Sequence, residues 1–316
     1  MKVILFSLLI SSSCFAQADQ NEKIKKFIFL AQKQFEKGNE SKTYDFIDQA
    51  IAIKSDSCEL YLIKSDYYFK FQRMVLAIES IEKSIAQFSQ CKELYDQKIF
   101  YHEFLGDSLK TIQTIQLGIS NFKDNEAYIL DFYLKQAYFY LNIKAWNQSL
   151  ASADSAWQIN NQNAETNRLK GYLMFKMGNP TQGLALIKSN LNTNANTTDF
   201  LTYAQCLIEN NETAKAQIIL DSLLNKEPEN FDQAEIYNLL GSIQLQTNDL
   251  NQAELYFQNS IMLNSGNAVA YKNLALTFMA KKQFEKVCTN LKKALYLGYT
   301  KLYGDEVIKL AEKHCR

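Results

Sequence analysis

The sequence repeats itself. Residues 234–266, AEIYNLLGSIQLQTNDLNQAELYFQNSIMLNSG, align with the segment that starts at Ala268, AVAYKNLALTFMAKKQFEKVCTNLKKALYLGYT. Tyr237 falls on Tyr271, Leu240 on Leu274, Gly241 on Ala275, Ala253 on Val287, Phe257 on Leu291 and Ser260 on Ala294, each pair 34 residues apart. A fixed period of this length constrains the fold strongly, because each repeat is one supersecondary unit that buries its apolar face only against its neighbours. Units of the same kind start near residues 24, 58, 92, 130, 164, 197, 234 and 268, with a few extra residues between the third and fourth and between the sixth and seventh. Within each, apolar residues recur at three- and four-residue steps in two runs. A polar break such as Lys37-Gly38-Asn39, Gly106-Asp107, Gly178-Asn179 or Asn248-Asp249 parts the runs, which predicts two amphipathic helices joined by a tight turn.

Each run carries a small residue at a fixed place. In the first it is Ala31, Ser65, Ala137, Gly171, Ala204, Gly241 or Ala275, with Ile99 as the exception; in the second it is Thr43, Ala77, Thr111, Ser149, Gly183, Ala216, Ala253 or the larger Val287. Two helices approach closely only where a small side chain of one meets the groove of the other. The pattern of an aromatic, Leu-Gly and Tyr in the first helix, then Ala, an aromatic or aliphatic residue and Ala in the second, resembles the tetratricopeptide repeat family. The match is best in the seventh and eighth units, and the family's closing Pro survives only as Pro228. The resemblance implies an all-α, right-handed α-solenoid of about eight helix-turn-helix repeats across residues 19–301. A C-terminal capping helix is expected over residues 302–316, where Leu302, Val307, Ile308, Leu310 and Ala311 recur at helical spacing.

The same resemblance implies that the first helices line a concave groove that takes an extended peptide or a partner helix. In the middle units the residues read as facing it are Leu62, Asp66, Phe100, Leu134, Tyr138, Arg168 and Tyr172. Aromatic rings beside isolated charges suit protein recognition, since Tyr and Arg anchors dominate binding energy. The expected function is a non-catalytic scaffold for another protein or peptide segment. The alternative is a module for glycan or peptidoglycan fragments on the same aromatic platforms, which requires a ring-lined pocket closed on several sides. The Lys and Asn clamp by which some family members hold chaperone termini is not reproduced: Lys272 and Asn273 stand in the eighth unit, but Asn238 before them has no partner lysines.

Composition narrows the function classes further. The 34 Lys+Arg balance 34 Asp+Glu, so no basic excess exists to neutralise a phosphate backbone and nucleic acid is not an expected partner. His102 and His314 are the only histidines, and no HExxH, GxSxG, GxGxxG or GxxxxGK[ST] occurs. No catalytic residues, metal or cofactor are expected.

Residues 1–18 open on Lys2, run apolar from Val3 to Ile10 and end in small residues through Ala16 and Ala18, the pattern of a secretory signal peptide cleaved after either alanine. Cys14, after three serines, offers a second reading as the acylated first residue of an outer-membrane lipoprotein; a third makes the segment the first helix of the fold. No later stretch approaches 18 consecutive apolar residues, so no transmembrane span is expected. The signal ending and the Lys-, Asn- and Ile-rich composition point to a bacterial periplasm. In an oxidising compartment Cys58, Cys91, Cys206, Cys288 and Cys315 become disulfide candidates. Cys288 and Cys315 come side by side if their helices run antiparallel through the turn at Leu297-Gly298-Tyr299, and a disulfide is expected there. Cys58 and Cys91 mark equivalent ends of adjacent first helices; helix pairs stack at about 10 Å and a disulfide needs Cα atoms within about 7 Å, so this pairing stays open. Cys206 lies within a helix and is expected to be a buried thiol.

Overall fold

The computed structural model describes the backbone of residues 2–191, 195–300 and 304–315, and side chains from Asp19 onward. The readings of residues 1–18 as a signal, and of Cys14 as an acylation site, fall on side chains outside the described residues, as does Leu302. Among the described residues there are seventeen α-helices and no strand. The first helices of successive hairpins are α1 (Lys2–Glu36), α3 (Cys58–Lys70), α5 (Lys92–Phe104), α7 (Glu126–Asn142), α9 (Ala164–Lys176), α11 (Thr197–Glu209), α13 (Asn230–Gln246) and α15 (Ala268–Ala280). Their partners are α2 (Glu40–Ile53), α4 (Met74–Gln87), α6 (Ser108–Asn121), α8 (Trp146–Ile159), α10 (Pro180–Ser189), α12 (Thr213–Leu224), α14 (Leu250–Leu263) and α16 (Phe284–Tyr296), and α17 (Glu306–His314) follows. The chain forms two compact units, Met1–Gln136 and Ala137–Arg316, each a stack of hairpins.

One spacing explains every hairpin. The small residue of the first helix and that of the second are 12 positions apart in all eight pairs, from Ala31 and Thr43 to Ala275 and Val287, and all sixteen side chains or glycines are buried, Ile99 included. These are the crossing points. In α3 and α4 the Ser65 hydroxyl donates to the Ala77 carbonyl at 3.2 Å, and in α7 and α8 the Ser149 hydroxyl donates to the Ala137 carbonyl at 2.7 Å, so facing members of a pair are bonded directly. Thr43 and Thr111 satisfy their buried hydroxyls within their own helices, on the carbonyls of Asn39 and Asp107.

The turn between helices is equally regular. Seven residues after each first-helix small residue the backbone is left-handed: at Gly38, Gln72, Gly106, Lys144, Gly178, Asn211, Asn248 and Lys282. The next residue returns its amide to a carbonyl one turn back, as Asn39 does to Gln34 and Asp249 to Gln244, both at 2.9 Å, closing a Schellman-type cap. That same residue is the N-cap of the second helix, so the connection has no slack. Gln72, Lys144 and Lys282 hold a conformation that costs a residue with a Cβ about 1 kcal/mol, and the chain therefore needs few glycines.

The extra residues before the fourth and seventh units lengthen helices rather than loops. α7 and α13 run to 17 residues against 13 in α3, α5, α9, α11 and α15, which is about one added turn at the N-terminus and leaves the crossing points in phase. In the second unit Leu207, Leu220 and Leu240 centre one core cluster, and Phe257, Leu274, Leu291 and Val307 another, so α17 closes the apolar face of the last hairpin.

A second regularity ties hairpins to one another. Lys64 Nζ lies 2.6 Å from Asp48, Lys98 Nζ 2.8 Å from Glu82, and Lys170 Nζ 2.9 Å from Asp154. In each pair the lysine precedes the small residue of a first helix and the acid sits on the preceding second helix, 16 positions earlier.

Candidate functional site

Few polar groups in this chain are placed for chemistry. Both ring nitrogens of His102, which is 1% exposed, lack a hydrogen-bond partner, and His314 stacks on Phe284 at 6.3 Å between centroids. Burial, and then the charge of Lys98, hold the His102 pKa below its ordinary value, so the ring is neutral in the folded chain. Among the described residues Cys58, Cys91 and Glu93 bring donor atoms within 4.8 Å of one another, but the two sulfurs are bonded to each other and leave no free ligand set. Clefts of 220 Å³ beside Tyr61 and Tyr68 and of 450 Å³ beside Trp157 and Met174 are open to solvent.

In the first unit, the faces of α3 and α5 carry an aromatic cluster. Phe69 packs on Phe100 at 5.3 Å, on Tyr101 at 5.3 Å and on Phe104 at 5.1 Å. Phe100 is 49% and Phe104 63% exposed, and Leu105 and Leu109 beside them are exposed as well. Water-facing rings in contact with one another form a patch, which a monomeric soluble protein seldom leaves uncovered without a use. Leu62 and Asp66 are half-buried neighbours on α3, and Asp66 pairs with Lys70 at 2.6 Å. Leu134 differs from the expectation of a groove-facing contact: at 6% exposure it is packing, because α7 turns this side chain into the stack.

Below the rings lies an alternating ion network. Lys92 bonds Asp96 at 2.7 Å and Asp131 at 2.6 Å, and Lys135 bonds Asp131 at 2.5 Å and lies 3.4 Å from Asp96. Burial opposes the charge on Asp131, yet the bonds from Lys135 and Lys92 outweigh it and hold its pKa low. Burial raises Glu103, with Lys135 pulling the other way.

In the second unit the expected residues Tyr138, Arg168 and Tyr172 are half-buried and engaged. Arg168 Nη1 lies 2.8 Å from Asp199 Oδ1, a carboxylate that is 1% exposed and also caps α11 in a reciprocal box with Asn196. The Tyr138 hydroxyl joins Arg168 and Glu165, and burial, then the Glu165 charge, raise its pKa. Tyr172 lies under the ammonium of Lys176, which is paired to Glu209 at 2.7 Å. Arg168 is thus a neutralised, half-buried group that links consecutive first helices, rather than a free charge.

The structure brings Cys288 and Cys315 into a disulfide with Cα atoms 5.4 Å apart, and Cys58 and Cys91 into another at 6.6 Å. Both residues of the second pair sit where their helices begin, Cys58 as the first residue of α3 and Cys91 as the N-cap of α5. Cys206 is buried and unpaired, and burial, with Glu209 adding, pushes its thiol up to about 12. The exposed residue absent from the expected set is Phe104. A partial signal was present: equivalent positions carry Glu36, Lys70, Asn142, Lys176, Glu209, Gln246 and Ala280, six of the seven polar, so an aromatic there stands out.

No family model matches the chain, and no curated protein matches it. Solved structures do. A tetratricopeptide repeat protein from Parabacteroides merdae superposes with a TM-score of 0.58 at 14% identity over 81% of this chain and 99% of that one. The Cut9–Hcn1 hetero-tetramer of the APC/C gives 0.54 at 16% identity, over 86% of this chain and 53% of that one. PilW, a type IV pilus biogenesis factor, gives 0.52 at 15% identity over 70% of this chain and 98% of that one. At these identities the likeness concerns the fold, which is an all-α solenoid of tetratricopeptide type.

Proposed function

We propose that this chain is an exported, non-catalytic scaffold that holds a segment of another protein on the exposed face of its first helices. The carrying observation is the pair of exposed rings Phe100 and Phe104 packed on half-buried Phe69, since exposed rings in mutual contact offer apolar area that costs little conformational entropy to bury. Leu62 and Asp66 extend that surface in the first unit. Tyr138, Arg168 and Tyr172 supply a half-buried polar surface in the second. The structural neighbours support interaction work in general, one being an assembly of two proteins by its own description and another a pilus biogenesis factor.

The signal-like residues 1–18 and the two disulfides support export to an oxidising compartment, a periplasm, with acylation of Cys14 the variant that would hold the protein at a membrane. Among the described residues no helix is long and apolar enough to cross a membrane. The clefts beside Tyr61 and Tyr68 and beside Trp157 are open rather than closed on several sides, which favours a protein segment over a glycan fragment.

The test is a photoreactive residue at Phe104 in intact producing cells, with captured proteins identified by mass spectrometry. One dominant partner, lost when Phe69 and Phe100 become Ala, is expected. Capture of nothing by a folded, exported protein overturns the reading.

A further inference from the structure

The two disulfides sit differently on their helices. Cys58 is the first residue of α3 and Cys91 is the N-cap of α5. Neither helix start has a side-chain cap, whereas Asn163, Asn196 and Asn267 accept first-turn amides at the equivalent starts of α9, α11 and α15. A thiolate released at Cys58 or Cys91 therefore gains the positive end of a helix macrodipole at a start that no side chain caps. Such surroundings stabilise the thiolate and with it the reduced form. At the other pair neither sulfur belongs to a residue at the very start of a helix: Cys288 is the fifth residue of α16, past its first turn, and Cys315 is the C-cap of α17, at its negative end. Cys288 Sγ also lies 3.5 Å from the carbonyl oxygen of His314, so a thiolate there faces a carbonyl oxygen.

We propose that Cys58–Cys91 is a redox-exchangeable disulfide, opened by thiol reductants under conditions that leave Cys288–Cys315 intact. Cys58 is half-buried and Cys91 buried, so Cys58 is the sulfur open to attack. The thiolate of an external reductant forms a bond to Cys58 Sγ as the Cys58–Cys91 bond breaks, and the electron pair leaves on Cys91 Sγ. That sulfur leaves as a thiolate against the α5 amides, opposed by the Glu93 carboxylate, whose Oε2 is 3.3 Å away, and then takes a proton from water. A second external thiolate then attacks the sulfur of the first, the mixed-disulfide bond breaks, and Cys58 Sγ leaves with the electron pair and takes up a proton. Two thiols are oxidised to one disulfide and two protein thiols are formed. The substrate class is a small or protein-borne thiol. Opening frees the starts of α3 and α5, the helices that carry Phe69 and Phe100.

The test equilibrates the air-oxidised full chain in graded mixtures of reduced and oxidised glutathione, blocks thiols by alkylation and reads both pairs by peptide mass spectrometry. Cys58–Cys91 is expected to be half-open at a [GSH]²/[GSSG] at least tenfold lower than Cys288–Cys315, with the glutathione adduct on Cys58. Glu93→Gln, which removes the carboxylate that opposes a Cys91 thiolate, should lower that ratio further. Equal or reversed opening of the two pairs, an adduct confined to Cys91, or free Cys58 and Cys91 thiols before any reductant is added overturns the proposal.

Discussion

Gly183→Ala tests the hairpin crossing where it is tightest. A Cβ at this position in α10 would lie 2.5 Å from the Gly171 carbonyl oxygen, 2.7 Å from the Phe175 nitrogen and 3.0 Å from Phe175 Cα. All three are backbone atoms of α9, so no side-chain rotation relieves them and the two helices must move apart. Helix propensity alone would favour the substitution by about 1 kcal/mol. Overpacking costs about 1–3 kcal/mol, and a backbone obstacle belongs at the upper end of that range. The net is a loss of about 1–2 kcal/mol, opposite in sign to the propensity. For a chain of 316 residues that lowers the melting midpoint by about 1.5–3 °C. Circular dichroism at 222 nm during heating and urea titration measures it, with Gln182→Ala at the exposed neighbouring position as the control, expected to change stability by less than about 0.5 kcal/mol. Gly171→Ala meets the Gly183 carbonyl at 2.8 Å, so the double variant should lose less than the sum, since one opening of the hairpin relieves both. A midpoint raised by the full propensity gain would refute the crossing.

Three further outcomes are expected. Arg168→Met strands the buried Asp199 carboxylate with only its capping amide and should cost about 3 kcal/mol in urea denaturation, part of it restored by Asp199→Asn in the same chain; a loss under about 1 kcal/mol contradicts the buried pair. His102 has a folded pKa below the ordinary 6.5, so the unfolded chain takes up its proton first as pH falls. The stability it holds above that value is lost as pH drops through the folded pKa. The wild-type urea midpoint should therefore fall more between pH 7 and pH 5 than that of His102→Leu, and equal slopes would refute the neutral, buried ring. Gln72→Gly relieves a left-handed backbone at φ +62° and should raise stability by about 0.5–1 kcal/mol in calorimetry, while a decrease contradicts the turn geometry.

The candidate surface was legible only in part. Phe100 is exposed in a ring cluster as its position in α5 suggests, whereas Leu134 of α7, at the step that matches half-buried Leu62 of α3, is buried. Periodicity assigns a residue to a helix face, but its exposure depends on how far the next hairpin is rotated over that face. Arg168 shows the same limit. Its pattern reads as an isolated charge, and its partner Asp199 lies 31 residues on, in the next hairpin, where spacing within one helix carries no information.

What the sequence determined by itself is the repeat and its contact geometry. A small residue at a fixed place in nearly every helix, polar breaks at four of the turns, and apolar steps of three and four are local steric requirements, so they recur along the chain and can be read without a structure. The Cys288 and Cys315 pairing belongs here too, because it needs only one antiparallel turn. Tertiary structure decided whatever depends on the spacing and rotation between hairpins: that Cys58 and Cys91 come within 6.6 Å, that Phe104 faces water, and that Lys64, Lys98 and Lys170 reach acids on the preceding hairpin. Those distances are set by the sum of many side-chain volumes across an interface, a quantity no single repeat encodes.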